Sequence, residues 1–475
     1  MSEDLRVTSE ERTYLRDLAR RYLQYAHLPI MAERTELWYA HNELKGPRPV
    51  VVFESGGALG ELMPKARCES PLGRQIEWGL QVPITEYDML GDDKVISPEF
   101  RVGWQIHMRE FDMDLTQEHA KDAQGRTFGF SMQYPVTDLA ADLPKLKYST
   151  YHADREATLA NKAAVEEVIG DLMPVVLNNW SMCWIGNPSY KVLRLMGMEN
   201  MLMAMMDRPD EMKHLYRFVT EDLKRYMLWQ ESEGLLTLNN GNHYAGAGSY
   251  GFSRELGQRG EGVSPSCAAG ILPACGEGVP PSSSPFPASS LAQSQQHQQK
   301  QQQDAGRMPA TRADKMPATR VRVSDLWMNM NSQETVGISP EMFEEFVYPS
   351  YHALAEMAGL VYFGCCEPVH SIWENCLSKL PHLRKVSVSP WCDEVKIGAW
   401  LRKANVIYSR KPSPNYIGVG QLDEEAFAEH VAQTVRAARG GHLEIVFRDI
   451  YTLCGDLTKP RRAVEIVRRQ FDKIW

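Results

Sequence analysis

Leu360-Val361-Tyr362-Phe363-Gly364-Cys365-Cys366-Glu367-Pro368 reads as a short apolar strand that breaks at a glycine and presents two adjacent cysteines. A second run, Leu443-Glu444-Ile445-Val446-Phe447-Arg448-Asp449-Ile450, ends in the same way and leads to Leu453-Cys454-Gly455. Each is followed by a loop and then a helical pattern. Two such units in one parallel sheet open their C-terminal ends on the same face, which is where barrels of parallel strands do chemistry. Thiolates gathered there from two strands are the donors a zinc ion prefers.

Outward from these runs, short apolar stretches alternate with longer helical patterns. The predicted strands are Val50–Phe53, Arg101–Met108, Pro174–Asn178, Leu235–Asn239, Gly359–Gly364, Arg384–Ser389, Asn405–Ser409 and His442–Phe447. The predicted helices between and after them include Asp207–Glu231, Pro340–Ala358, Val369–Lys379, Val395–Lys403, Glu424–Arg439 and Arg461–Ile474. Strands alternating with helices of this length argue for βαβ units and a parallel sheet. The expected fold is therefore α/β, a (β/α)8 TIM barrel over residues 49–475 with an N-terminal helical extension over residues 1–48.

One stretch, residues 254–320, loses all periodicity. It holds Pro280-Pro281-Ser282-Ser283-Ser284-Pro285, the glutamine tract Gln293–Gln303, and the repeat Met308-Pro309-Ala310-Thr311-Arg312 / Met316-Pro317-Ala318-Thr319-Arg320. Such composition buries too little apolar surface to offset chain entropy, so the sequence predicts a disordered insertion within the barrel. Cys267 and Cys275 inside it are read as incidental.

The 475 residues are 43% hydrophobic and carry a net charge of −9, with no basic tract, which argues against nucleic acid as a partner. No apolar run is long enough to span a membrane, and Met1 is followed by Ser2-Glu3-Asp4-Leu5-Arg6 rather than a secretory core, so a cytoplasmic protein is expected. Nine cysteines show no disulfide framework, and a cluster of them points to metal or catalysis. Gly56-Gly57-Ala58-Leu59-Gly60 lacks the spacing of a phosphate loop.

Gly337-Ile338-Ser339-Pro340-Glu341-Met342-Phe343-Glu344-Glu345-Phe346-Val347, with Met196-Gly197-Met198-Glu199-Asn200, Met206-Asp207-Arg208-Pro209-Asp210 and Leu453-Cys454-Gly455, resembles the uroporphyrinogen-decarboxylase-like superfamily. The resemblance covers most of the chain beyond residue 160 except the insertion. It implies a TIM barrel and, in its corrinoid-dependent methyltransferase branch, a zinc ion held by a His-x-Cys pair and a Cys-Gly cysteine. Cys366 and Cys454 match the two cysteines, whereas the histidine position holds Gly364; Cys365, Glu367 or His243 is then the replacement ligand. The implied metal ligands are Cys365, Cys366, Glu367 and Cys454. The corrinoid (cobalamin) would arrive on a partner protein, since no Asp-x-His-x-x-Gly signature is present, and the other substrate would be a small methylated compound or a thiol acceptor. Around the metal, His243 and Asp449 are the candidate catalytic residues, and Asn178, Trp180, Asn240, Trp391 and Arg448 the candidate substrate contacts. Two alternatives stand beside this reading. One is uroporphyrinogen decarboxylase itself, which resemblance ties to an arginine-rich loop after the first strand, where this chain has Glu54-Ser55-Gly56-Gly57. The other is a non-catalytic zinc- or corrinoid-binding barrel.

Overall fold

The computed structural model describes residues 5–113, 115, 117–121, 127–179, 184–257 and 320–475. The predicted insertion falls almost entirely outside the described residues, as does Trp180. In chain order, the strands in parallel ladders are β1 (Val50–Phe53), β2 (Phe100–Gly103), β3 (Val175–Asn178), β4 (Trp327–Met330), β5 (Leu360–Phe363), β6 (Leu383–Val388), β7 (Ile407–Arg410) and β8 (His442–Phe447). Six of them form one parallel sheet in the order β1-β8-β7-β6-β5-β4, and β2 pairs with β3.

The strands of the larger sheet are almost wholly buried, and helices pack against it. That is why they read as near-continuous apolar runs rather than alternating ones. Where a polar residue interrupts a run, period 2 sends it to one face. Ser409 and Lys411 share a face with Tyr362 and Glu444, whereas Tyr408 and Arg410 meet Glu394 of the helix Glu394–Ala404 on the other.

Two predicted strands differ from the structure. Arg101–Met108 divides into β2 and a separate strand, Ile106–Arg109, which pairs antiparallel with Thr150–Ala153. Its alternating half-exposed pattern, Ile106 and Met108 inward against His107 and Arg109 outward, belongs to an antiparallel ribbon. Leu235–Asn239 joins no ladder. The side-chain amide of Asn239 instead bonds both backbone groups of Trp327, accepting from its N–H at 2.8 Å and donating to its carbonyl at 2.9 Å. The strand at this point is β4, Trp327-Met328-Asn329-Met330, whose methionines and asparagine carry little β signature.

The helices follow prediction more closely, at Pro209–Glu233, Glu394–Ala404, Glu424–Ala438 and Lys459–Ile474. Pro340–Ala355 is continuous but passes through a π-helical turn at Phe343–Val347, just before Pro349, which has no N–H to give the preceding turn. Val369–Lys379 forms only 3₁₀ turns, Val369–Ile372 and Leu377–Lys379. The N-terminal helix Ser9–Ala26 starts with a capping box between Thr8 and Glu11. Its buried face, Leu15, Leu18, Ala19 and Tyr22, forms a second apolar cluster with the helices Pro71–Leu90 and Arg155–Ile169. No helix among the described residues is long and apolar enough to cross a membrane.

Candidate functional site

The paired cysteines leave β5 through a turn that glycine makes possible. Gly364 has φ +99°, a conformation side chains rarely adopt, and a Cβ there would meet Ser387 Cβ at 3.1 Å. The turn is held from three sides. Gly364 N–H donates to Met330 O at 2.7 Å, and Ser387 Oγ donates to Cys365 O at 2.7 Å. Glu367, almost wholly buried, folds back to accept Cys365 N–H at 2.9 Å and Ser332 N–H at 2.8 Å. In a regular strand two adjacent side chains diverge; this turn brings Cys365 Sγ and Cys366 Sγ to 3.5 Å.

The end of β8 supplies the facing group. Asp449, at φ +58°, accepts from Cys366 Sγ at 3.3 Å through Oδ2. Arg448 lies between this carboxylate and the end of β1, with Nε 3.2 Å from Glu54 Oε2 and 3.7 Å from Asp449 Oδ1. Tyr244 donates to the other Glu54 oxygen at 3.1 Å and accepts Gly248 N–H at 2.9 Å. Trp184 completes the wall, its ring 5.7 Å from the guanidinium carbon and 6.0 Å from the Tyr244 ring. Nε and Nη1 of Arg448 are both buried without a hydrogen bond among the described residues; Nε has only its ion-pair contacts, and Nη1 has none.

These neighbours make the two thiols unequal. The hydrogen bond from Cys366 holds the Cys365 thiol below its ordinary range; burial opposes this and the charge of Arg448 assists. Cys366 is pushed up by that same bond, by its own burial and by Asp449. Burial also raises the Glu367 carboxyl, against the two backbone N–H groups it accepts.

The pair fits part of a zinc site. Two sulfurs on one tetrahedral zinc, each about 2.3 Å from it, stand about 3.8 Å apart. The observed 3.5 Å is close to that, and Asp449 Oδ2 stands at a ligand-like 3.3 Å from one sulfur. Among the described residues, however, no three His, Cys, Asp or Glu side chains already converge as a metal site. A third ligand would have to swing in, and Asp449 is the one in contact. Glu367 has both oxygens committed to backbone N–H groups. Cys454 is exposed, at φ +52°, and its sulfur lies 3.9 Å from Gly418 O and 4.0 Å from Thr452 Oγ1.

The other predicted residues scatter along the rim. Asn178 is buried at the end of β3, where its carbonyl accepts Trp104 N–H. Asn240 braces a loop through Gly257 O at 3.0 Å. His243 lies in the turn before the hairpin Tyr244–Gly246/Ser249–Tyr250; its N–H donates to Gly241 O and its carbonyl accepts from Gly251 N–H. Trp391 follows β6 and is 74% exposed. In the glycine-rich stretch after β1, Gly57 serves close packing, since a Cβ there would meet Ile450 O at 2.5 Å, while Gly56 and Gly60 have open space.

Sequence reasoning passed over Trp184 and Tyr244, met Glu54 only as acid after the first strand, and noted Lys411 at the end of the seventh strand without giving it a role. It also passed over a buried layer beneath them, in which Lys385 Nζ lies 3.0 Å from Glu444 Oε2, with His41 and Ser249 on the same carboxylate oxygen. The available sign was a charge inside an apolar run, as in Leu443-Glu444-Ile445 and Arg384-Lys385-Val386. No family model and no curated protein matches the chain.

Proposed function

We propose that the chain is a zinc-dependent methyltransferase built on a closed barrel, moving a methyl group between a small anionic substrate and a corrinoid carried by another protein. The observation that carries this reading is the contact of Cys365, Cys366 and Asp449 at the C-terminal ends of two parallel strands. Closure is supported by the same contact. Strands about 4.8 Å apart would leave β5 and β8 about 14 Å apart on a flat sheet, too far for a cysteine and an aspartate to touch. Both edges of the sheet also find further partners: Asp93 N–H donates to Val51 O at 2.9 Å beside β1, and Gly186 bridges Met330 of β4.

In this reading Cys365 and Cys366 hold the ion, with Asp449 swinging in. When bound, zinc would supply a Lewis acid that activates a substrate sulfur or oxygen. The unpartnered Nη1 of Arg448 receives the substrate's negative group, and Glu54 and Asp449 hold the guanidinium in place. Trp184 and Tyr244 wall the space beside it. Cys365, held below its ordinary range, is the thiol that gives up its proton first to a cation, while Cys366, raised by its neighbours, would need the ion's own charge to lose its proton. Uroporphyrinogen decarboxylation has no comparable support, because Glu54 brings negative charge where that polyanionic substrate needs positive.

The test is metal content after anaerobic purification. Wild type should carry about one zinc per chain, Cys366→Ser and Asp449→Asn should lose most of it, and Cys454→Ser should keep it. Wild type without zinc would overturn the metal reading; zinc lost only in Cys454→Ser would move the site to the last loop.

A further inference from the structure

Among the described residues, buried and half-buried lysines of the sheet region such as Lys385, Lys94 and Lys459 have carboxylate or carbonyl partners, whereas Lys411 does not. Lys385 pairs with Glu444, Lys94 with Glu86, and Lys459 donates to the carbonyls of Ile417, Val419 and Leu453. Lys411, one residue past β7 and 3% exposed, has only hydroxyls: Tyr362 OH and Ser409 Oγ, each at 2.7 Å. No carboxylate lies within ion-pair distance of it among the described residues. A charged ammonium so placed is poorly solvated, whereas a neutral amine can donate to Ser409, whose own proton goes to Glu444, and accept from the Tyr362 hydroxyl. Its backbone N–H continues the β7–β6 ladder to Val388 O, which fixes the stem and leaves the amine on the face of Ser409 and Glu444.

We propose that Lys411 is a carbonyl-reactive amine that forms an imine with a small 2-oxo acid whose carboxylate rests on Arg448. The nitrogen lone pair attacks the carbonyl carbon and a C–N bond forms. The carbinolamine then loses its hydroxyl as water: the C–O bond breaks and Tyr362 OH, 2.7 Å from the nitrogen, gives the departing oxygen its proton. One of the nitrogen's two protons passes to the carbonyl oxygen as the C–N bond forms and makes the carbinolamine hydroxyl; the other returns to the Tyr362 oxygen, 2.7 Å from the nitrogen. No oxidant or metal takes part.

The electrostatics agree. Burial pulls the Lys411 amine down to about 7, Glu444 opposing and Arg448 assisting, with smaller opposition from Cys365 and Glu54. Burial keeps the Tyr362 phenol protonated, well above its ordinary range, so that it can donate. The amine is thus neutral far more often near pH 7.5 than a free lysine, which is almost wholly charged there. Arg448 follows the neighbouring strand β8 four residues after Glu444, so the alternation that puts Glu444 on the face of Ser409 and Lys411 puts Arg448 on that face too.

The experiment is reductive trapping of the full-length protein with pyruvate and cyanoborohydride, read by peptide mass mapping. Wild type at pH 7.5 should label at Lys411 at least tenfold above any exposed lysine, and several-fold less at pH 6. Acetone, the same carbonyl without the carboxylate, should label Lys411 more weakly, and Arg448→Met should remove pyruvate's advantage. Label spread over exposed lysines with Lys411 unmodified overturns the proposal. Equal labelling by acetone and pyruvate overturns the assignment of the carboxylate to Arg448. The main readout needs no variant, so it does not depend on Lys411→Met folding.

Discussion

Single side chains carry the polar interior of this sheet, and Glu444 is its pivot. It is fully buried and receives Lys385, His41, Ser249 and, at 2.5 Å through its other oxygen, Ser409. Burial alone would raise its carboxyl, but Lys385 and the bond from His41 hold it well below the ordinary range. A carboxyl depressed in the folded state adds stability above its unfolded value near 4.3, and that contribution is lost as pH falls through the folded value. Glu444→Gln should therefore cost about 3–5 kcal/mol at pH 7, because Lys385 is left buried without its counter-charge. Urea unfolding at pH 7 and pH 3 checks this, with the gap between variant and wild type narrowing at the lower pH. At this scale the sequence exposed the chemistry only in part. Cys365, Cys366, Arg448 and Asp449 were legible because each stands where an apolar run ends. Tyr244 was not, and Glu54 and Lys411, though visible at strand ends, had no role there, since their partners lie far away in the chain.

Among the elements, the passage from β5 into its loop decides what the thiols can do. Gly364 stands where the resembled branch has histidine, and restoring that histidine is the obvious engineering step. The backbone forbids it: φ is +99° and Val369 and Ser387 crowd the Cβ position at 3.3 and 3.1 Å. Gly364→His should lose at least about 1–2 kcal/mol, the cost of forcing an L-residue into a left-handed conformation, and should not raise zinc content. Thermal unfolding together with metal analysis tests both halves; a stable variant with more zinc would show that the turn relaxes. The strands β1, β5, β6, β7 and β8 were readable as apolar runs because both faces are buried. β4 was hidden by Met328, Asn329 and Met330, and Leu235–Asn239 was mistaken for a strand because the Asn239 side chain does the work of a neighbouring backbone.

Across the whole molecule, the question is how the segment from 258 to 319 attaches. The chain on its two sides comes back together: Asn240 binds Gly257 O, and a Cβ on Gly257 would meet the Asp325 carboxyl carbon at 3.4 Å. Ends held this close make the intervening length thermodynamically cheap, since each doubling costs only about 0.6 kcal/mol. Replacing residues 260–319 with a short glycine-serine linker should thus shift the unfolding free energy by less than about 1 kcal/mol and leave zinc content unchanged. Loss of soluble protein would count against the insertion reading. Sequence by itself determined the α/β class, most of the parallel strands, most of the long helices and the adjacent cysteines, because hydrophobic period and turn residues act over a few neighbours. Only the tertiary structure decided that Asp449 meets Cys366 while Cys454 lies against Gly418, that Glu54 clamps Arg448, and that Lys411 has no counter-charge. These depend on which strand ends come together in space, and pairings across dozens to hundreds of residues leave no periodic trace in the chain.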